Sequence, residues 1–92
     1  MTAARFPPGR ILATPGTLAA LEEAGAIPSI FLKRQLTGDW GEIDDHDGRE
    51  NELSVVQGFR LLSAYTLSNG TRLRVITEAD RSATTVLLPS EY

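Results

Sequence analysis

The sequence has no cysteine and only one histidine among its 92 residues. The lack of thiols excludes a disulfide framework and thiolate sites for zinc or iron–sulfur clusters. Every imidazole-based site would depend on His46 alone. No apolar run approaches the roughly 20 residues of a membrane span, and residues 1–10 show no apolar stretch of signal-peptide length. We therefore expect a cytoplasmic protein without a membrane segment, a metal ion or a cofactor.

The size and hydrophobic content of the chain indicate one domain over residues 1–92. The sequence is 41% hydrophobic and 23% charged, which suits one core and is too short for two. Pro7, Pro8 and Gly9 disfavour a helix, so residues 1–9 are predicted to be an irregular N-terminal lead.

Charge is unevenly distributed along the chain. The formal net charge is −3, yet residues 39–52 hold seven acidic residues and one basic residue, and the remainder is net positive. An acidic protein is a poor candidate for binding a phosphate backbone, so nucleic acid is not the expected partner. The acidic segment either faces a basic partner surface or is a solvated helix start with its preceding loop.

Caps and helix breakers predict three short helices, over residues 15–24, 28–37 and 45–57, the last beginning at Asp45 or Asp47. Helical spacing then predicts which side chains face the core. These are Leu18, Leu21 and Ala24 in the first helix, Ile27, Ile30, Phe31 and Leu36 in the second, and Leu53, Val55 and Val56 in the third.

Strand-like alternation precedes and follows these helices. One short strand is predicted over Arg10–Ala13 and three more over residues 59–66, 71–77 and 83–88, with Asn69-Gly70 as a hairpin turn. The predicted order is β-α-α-α-β-β-β. This order defines an α+β fold, an antiparallel three- to four-stranded meander with short helices on one face.

Sequence patterns for metal binding and catalysis are incomplete. Residues 44–48 (DDHDG) resemble a calcium loop, but its alignment puts Ile43 and Ser54 where carboxylates are required. His46 and Glu50 lie four residues apart, and a transition metal would need a third ligand. There is no Gly-x-Ser-x-Gly elbow and no glycine-rich phosphate loop. We expect no catalytic residues and no metal ligands.

Two regions are candidates for contact with a protein partner. Trp40, within the acidic segment, either anchors the helices on the sheet or is an exposed docking residue. The loop 77–82 carries two carboxylates, a guanidinium and hydroxyls, which serve either recognition or turn formation. The residues assigned to partner contact are Asp39, Trp40, Asp44, Asp45, Asp47, Glu78, Asp80 and Arg81.

The arginines of the C-terminal half suggest a different activity. Arg60, Arg72 and Arg74 are predicted to share a sheet face, and together with Arg81 they form the alternative RNA-binding set. Tyr65 or Thr66 is expected opposite Arg72, and Tyr65 would be the aromatic stacking partner. The simpler alternative pairs these arginines with the protein's own acidic segment.

Five segments resemble a family of small bacterial proteins of unknown function that are often encoded on plasmids and other mobile elements. They are residues 38–41 (GDWG), 50–52 (ENE), 62–65 (LSAY), 76–82 (ITEADRS) and 87–92 (LLPSEY). The resemblance covers most of the chain and implies an accessory protein of a mobile element. It implies no specific activity.

The predicted element order is also similar to that of the small RelE/ParE-type toxins. Only this order and the four arginines of the RNA-binding set support the similarity, and those toxins are usually basic whereas this chain is acidic.

The leading interpretation is a non-enzymatic interaction protein that binds a host or element-encoded protein, for example an anti-defence inhibitor presenting an acidic surface. The alternative is a small RNA-acting toxin that uses the arginine-bearing sheet face and the loop. A homodimer remains a third option.

Overall fold

The caps and strand-forming runs of the sequence produce four strands and three α-helices in the computed structural model, which describes residues 3–91. The elements are β1 (Arg10–Ala13), α1 (Pro15–Ala24), α2 (Pro28–Leu36), α3 (Asp45–Gln57), β2 (Leu61–Thr66), β3 (Arg72–Thr77) and β4 (Ala83–Leu87), with a 3-10 turn at Pro89–Glu91. The α+β class is thereby confirmed. The first two residues of the predicted lead, and Tyr92 of the last matching segment, lie outside the described residues.

The sheet is mixed, with the strand order β1-β4-β3-β2. Strands β2, β3 and β4 form the predicted antiparallel meander, but β1 pairs parallel to β4, with Arg10 opposite Ala83. The prediction of a purely antiparallel sheet is therefore wrong for β1. Parallel neighbours need a long connection, which here runs through the three helices and then β2 and β3, and no local turn signal reveals such a pairing.

The predicted helix ends are confirmed for α1 and α3. The Thr14 hydroxyl accepts the Thr17 N–H at 3.2 Å, and the Asp44 carboxylate accepts the Asp47 N–H at 2.7 Å. Gly25 and Gly58 end these helices in the left-handed conformation. Such caps are set by neighbouring residues, which is why the sequence alone predicts them.

The main core lies between α1, α2 and one face of the sheet. Leu21 from α1 and Phe31 from α2 pack with Tyr65, Val75 and Val86, all of them buried. The rings of Phe31 and Tyr65 lie 5.5 Å apart at a tilted angle. This arrangement confirms that these two helices cover one face of the sheet.

Five of the side chains predicted to face the core are instead exposed. The prediction is wrong for Leu18, Ile27, Ile30, Leu53 and Val56, whose exposed fractions range from 46% to 77%. Polar residues take inward positions in α2 and α3, where Gln35, Asn51 and Ser54 are buried.

The predicted inward face is wrong in α3 because this helix lies beside the edge of the sheet. Asn51 accepts the Leu62 N–H at 3.1 Å and donates to the Leu62 carbonyl at 2.6 Å. An edge strand presents backbone donors and acceptors, so a helix packed there needs hydrogen-bonding side chains where a helix on a sheet face needs apolar ones.

The segment before α3 covers the next stretch of the same edge. The Ala64 N–H donates to the Trp40 carbonyl at 3.2 Å, and the Glu42 N–H donates to the Ala64 carbonyl at 2.7 Å. The Thr66 hydroxyl donates to the Glu42 carboxylate at 2.6 Å. The edge of β2 is thereby closed by the protein itself.

Candidate protein-binding surface

The residues leading into α3 form an acidic ridge, defined as residues 42–47. The ridge separates two clefts of about 460 Å³ and about 300 Å³, and Ile43 and Asp44 line both. Trp40 and Glu52 contribute to the larger cleft, and Arg72 contributes to the smaller one. Carboxylates therefore project between two concave surfaces that a partner's side chains can enter.

One backbone bond and one side-chain cap hold the ridge in place. Its first residue, Glu42, is bonded to Ala64 of β2, and Asp44 caps α3 at the other end. Gly41 has φ +73 and lies so close to β2 that a Cβ there would overlap the Ala64 carbonyl oxygen and the Tyr65 ring. Only glycine permits this close approach at such a φ value.

Asp39, at the start of the larger cleft, is engaged within the protein. Its carboxylate accepts the Arg34 Nε–H at 2.6 Å and the Gly41 N–H at 3.2 Å. The hydrogen bond from Arg34 lowers the pKa of Asp39. The guanidinium of Arg34 also lies over the Tyr65 ring, 4.5 Å from its centroid, and the Tyr65 hydroxyl donates to the Asp39 carbonyl.

Trp40 anchors a second, smaller core. The side chain is buried, stacks on Phe6 at 6.4 Å between ring centroids, and packs with Leu61. Its indole N–H donates to Glu52 at 3.0 Å, and Glu52 is paired with Arg5 at 2.8 Å. The anchor interpretation is therefore the one that the structure supports, and little of the tryptophan remains for contact with a partner.

The paired carboxylates of Asp39 and Glu52 determine how the stability of the fold responds to acid. Hydrogen bonds from Arg34 to Asp39 and from Arg5 to Glu52 lower both carboxyl pKa values from their ordinary 3.8 and 4.5. Their contribution to stability is complete above those values and is lost as the pH falls below them. We expect Tm to drop between pH 5 and pH 3, and Glu52→Gln combined with Asp39→Asn to flatten that drop. Both groups are about half exposed, so the effect is small. An unchanged slope of Tm against pH in the double variant would contradict the assignment.

The remaining carboxylates of the ridge and of the first turns of α3 are exposed. Glu42, Asp45, Asp47 and Glu50 face solvent, and His46 is exposed 3.8 Å from Glu50. Within residues 3–91 no group of three or more His, Asp or Glu residues is placed to hold a metal ion.

The loop after β3 is used for turn formation and capping. The Asp80 carboxylate accepts the Ser82 N–H at 2.9 Å. Arg81 has φ +61, and its guanidinium donates to the carbonyls of Ser54 at 2.8 Å and Phe59 at 2.7 Å. Arg81 thus caps the C-terminal end of α3. In this loop Glu78 is exposed.

The structure does not bring the two predicted contact regions together. The ridge lies at the N-terminal end of α3 and the loop lies at its C-terminal end. A helix of 13 residues separates them by about 18 Å. A small partner that contacts the ridge does not have to contact the loop.

Arg72 and Arg74 share a sheet face as predicted, and Arg60 lines a cleft with Ile76 and Thr85 of that same face. Arg72 and Arg74 lie on the sheet face that α1 and α2 do not cover. In the pairing of β2 with β3, Arg72 is paired with Thr66 and Arg74 with Ala64. Of the two residues predicted opposite Arg72, Thr66 is the partner. Tyr65 is buried on the other face, so the prediction of a stacking aromatic there is wrong. Arg81 is directed to the end of α3 and does not join this face.

Arg72 and Arg74 line the smaller cleft together with Glu42, Asp44 and Asp47. These two arginines therefore lie near carboxylates of the acidic segment. A mixed-charge cleft of this kind is a weaker attractor for a phosphate backbone than a cluster of arginines alone.

Three residues outside the predicted set hold the surface in place. The side chain of Arg5 bonds to Glu52, and that of Arg34 bonds to Asp39. Asn51 bonds to the backbone of β2. Arg34 and Asp39 are five residues apart across the end of α2, outside the i,i+3 and i,i+4 spacings that indicate a helical ion pair. The pairing of Arg5 with Glu52 spans 47 positions and has no local signal.

Comparison with models of known protein families, with curated proteins and with solved structures yields no match for this chain. None of the helices within residues 3–91 has the length and apolar character to cross a bilayer.

Proposed function

We propose that this protein is a non-enzymatic interaction module that binds a basic surface of a partner protein through the acidic ridge and the clefts beside it. The observation that carries the proposal is a rigid, exposed cluster of carboxylates. Asp45 and Asp47 are exposed, and no salt bridge within residues 3–91 engages them. Because the ridge is held by a backbone bond to β2 and by the Asp44 cap, little conformational entropy is lost when a partner binds.

Charge complementarity favours a protein partner with clustered lysines and arginines. Residues 39–52 carry a net charge of −6. Arg34 and Arg5 pair with Asp39 and Glu52, and the remaining carboxylates lie toward the N-terminal end of α3. Such a field attracts a basic surface and speeds association. A protein that normally binds nucleic acid presents a surface of this type. The resemblance to mobile-element proteins fits an anti-defence inhibitor that acts in the bacterial cytoplasm and occupies the nucleic-acid site of a nuclease.

Charge reversal on the ridge tests this proposal. The variant Asp45→Lys/Asp47→Lys is preferred because Asp44 caps α3 and its replacement would also cost about 1 kcal/mol of stability. The matched control is Glu22→Lys/Glu23→Lys, which makes the same charge change on exposed positions of α1. Each immobilised protein is incubated with nuclease-treated bacterial lysate, and the bound proteins are identified by mass spectrometry.

We expect one stoichiometric partner that is captured by the wild type and the control, is at least tenfold depleted with the ridge variant, and is released by salt. Circular dichroism melting establishes that all three proteins are folded. Equal capture by the ridge variant would exclude the acidic ridge from the function. Ribosomal or RNA-rich material bound by all three from untreated lysate would instead support the RNA-acting alternative.

A further inference from the structure

The two edges of the sheet are treated differently. The edge of β2 is closed by Asn51 and by the segment before α3, whereas β1 has β4 as its only neighbour within residues 3–91. The Arg10 N–H donates to Ser82 at 3.0 Å and the Thr14 N–H donates to Val86 at 3.2 Å. Along a strand, the N–H and C=O groups of successive residues point alternately to the two sides. The backbone groups of Arg10 and Thr14 point toward β4, so those of Ile11 and Ala13 point away from the sheet.

The side chains of β1 leave this edge accessible. Ile11 and Leu12 are 54% and 40% exposed. Natural proteins protect an edge with a short strand, charged side chains, proline or a bulge. The strand β1 is short and begins with Arg10, but it contains no lysine, proline or bulge, and its next two residues are aliphatic. An edge with free backbone groups and apolar side chains is suited to pairing with another strand.

We propose that two copies of this protein associate by antiparallel pairing of their β1 strands, with a twofold axis at Leu12, to form a continuous eight-stranded sheet. This inference is independent of the proposed function. When two identical edges are related by a twofold axis, their backbone hydrogen-bonding groups match, since each outward N–H meets an outward carbonyl. Ile11 then bonds to Ala13 of the second copy, and Leu12 lies directly opposite Leu12 of the second copy.

Charge complementarity supports a second copy in this register. Arg10 comes opposite Thr14 of the second copy, and the Thr14 hydroxyl already donates to Glu91 at 2.6 Å. Arg10 is exposed, and no salt bridge in the described part of the chain engages it. The pairing therefore places a free guanidinium beside a carboxylate, and the twofold axis makes this contact twice.

A single introduced cysteine tests the register, because the natural chain has none. Leu12 and its counterpart form a pair without mutual hydrogen bonds, with Cα atoms about 4.5 Å apart, which suits a disulfide. We expect Leu12→Cys to form a disulfide-linked dimer in a glutathione redox buffer at least tenfold faster than the control Val56→Cys, which is 77% exposed on α3. Equal rates for the two variants would overturn the proposal.

The mass in solution provides an independent measurement. Sedimentation equilibrium of the wild type is expected to show a concentration-dependent rise from 10.0 kDa toward twice that value. Ile11→Pro removes an outward N–H that β4 does not use, so we expect the fold to stay intact. The dissociation constant of the dimer is expected to rise at least tenfold. A wild type that stays monomeric up to a concentration of about 1 mM would exclude the dimer.

Discussion

Replacement of Gly41 by alanine is expected to lower the free energy of unfolding by at least about 3 kcal/mol. A left-handed backbone costs a residue with a side chain about 1–2 kcal/mol. In addition, the new Cβ would overlap the Ala64 carbonyl oxygen and the Tyr65 ring, so the segment must move and lose its bonds to β2. A loss of this size is a large share of the stability of a small domain.

Two other glycines separate the causes of this loss. Gly58 also has a positive φ, +79, but a Cβ there meets nothing within 4 Å, so Gly58→Ala is expected to cost only about 1 kcal/mol. Gly48 lies inside α3 in open space, and Gly48→Ala is expected to stabilise the protein by about 0.5–1 kcal/mol. Urea unfolding measures all three variants. A similar loss for Gly41→Ala and Gly58→Ala would mean that the close approach to β2 contributes nothing.

Asn51→Leu is expected to cost about 2–4 kcal/mol although leucine has a similar size and is more hydrophobic. The variant leaves the N–H and C=O groups of Leu62 without partners at a site where Asn51 is only 4% exposed. Unsatisfied polar groups at a buried site carry their full desolvation cost. In urea unfolding the midpoint should fall, and hydrogen exchange of the Leu62 amide should accelerate.

Thr66→Val is the matched control, because it also removes a side-chain bond along β2. The hydroxyl of Thr66 is bonded to Glu42 at the exposed end of the same edge, where water replaces the lost partner. We expect a change within about 0.5 kcal/mol. If Asn51→Leu were as mild as Thr66→Val, the closure of the edge would not depend on the paired hydrogen bonds of Asn51.

Features determined by neighbouring residues were predictable from the sequence. The caps Thr14 and Asp44 and the terminal glycines of α1 and α3 stand where local rules place them. The parallel pairing of β1 with β4 was not predictable, because Arg10 and Ala83 are distant in sequence and no turn links them. The same limit applies to residue pairs such as Arg5 with Glu52, which only the assembled fold brings together.

The predicted helix faces failed for a different reason. The apolar spacing of Leu53 and Val56 suggests an inward face of α3, but that assumes a helix lying on the face of a sheet. Because α3 lies along an edge, its inward positions include Asn51, which satisfies backbone groups of β2. Val55 packs partly on the second core, whereas Leu53 and Val56 are left outside. Exposed charge follows from composition, so the sequence alone indicates that the acidic segment lies at the surface. The engagement of Asp39 and Arg81 within the fold depends on tertiary contacts and has no such signal.

The packing of Trp40, the single tryptophan of the chain, places a fluorophore at an informative position. Its ring is stacked on Phe6, and its indole N–H is bonded to Glu52, which also holds Arg5. The emission wavelength therefore reports whether the N-terminal segment is docked against α3, separately from the unfolding of the sheet core. Since the tryptophan also lines the larger cleft beside the acidic ridge, the same signal is positioned to register occupancy of that cleft without any attached label.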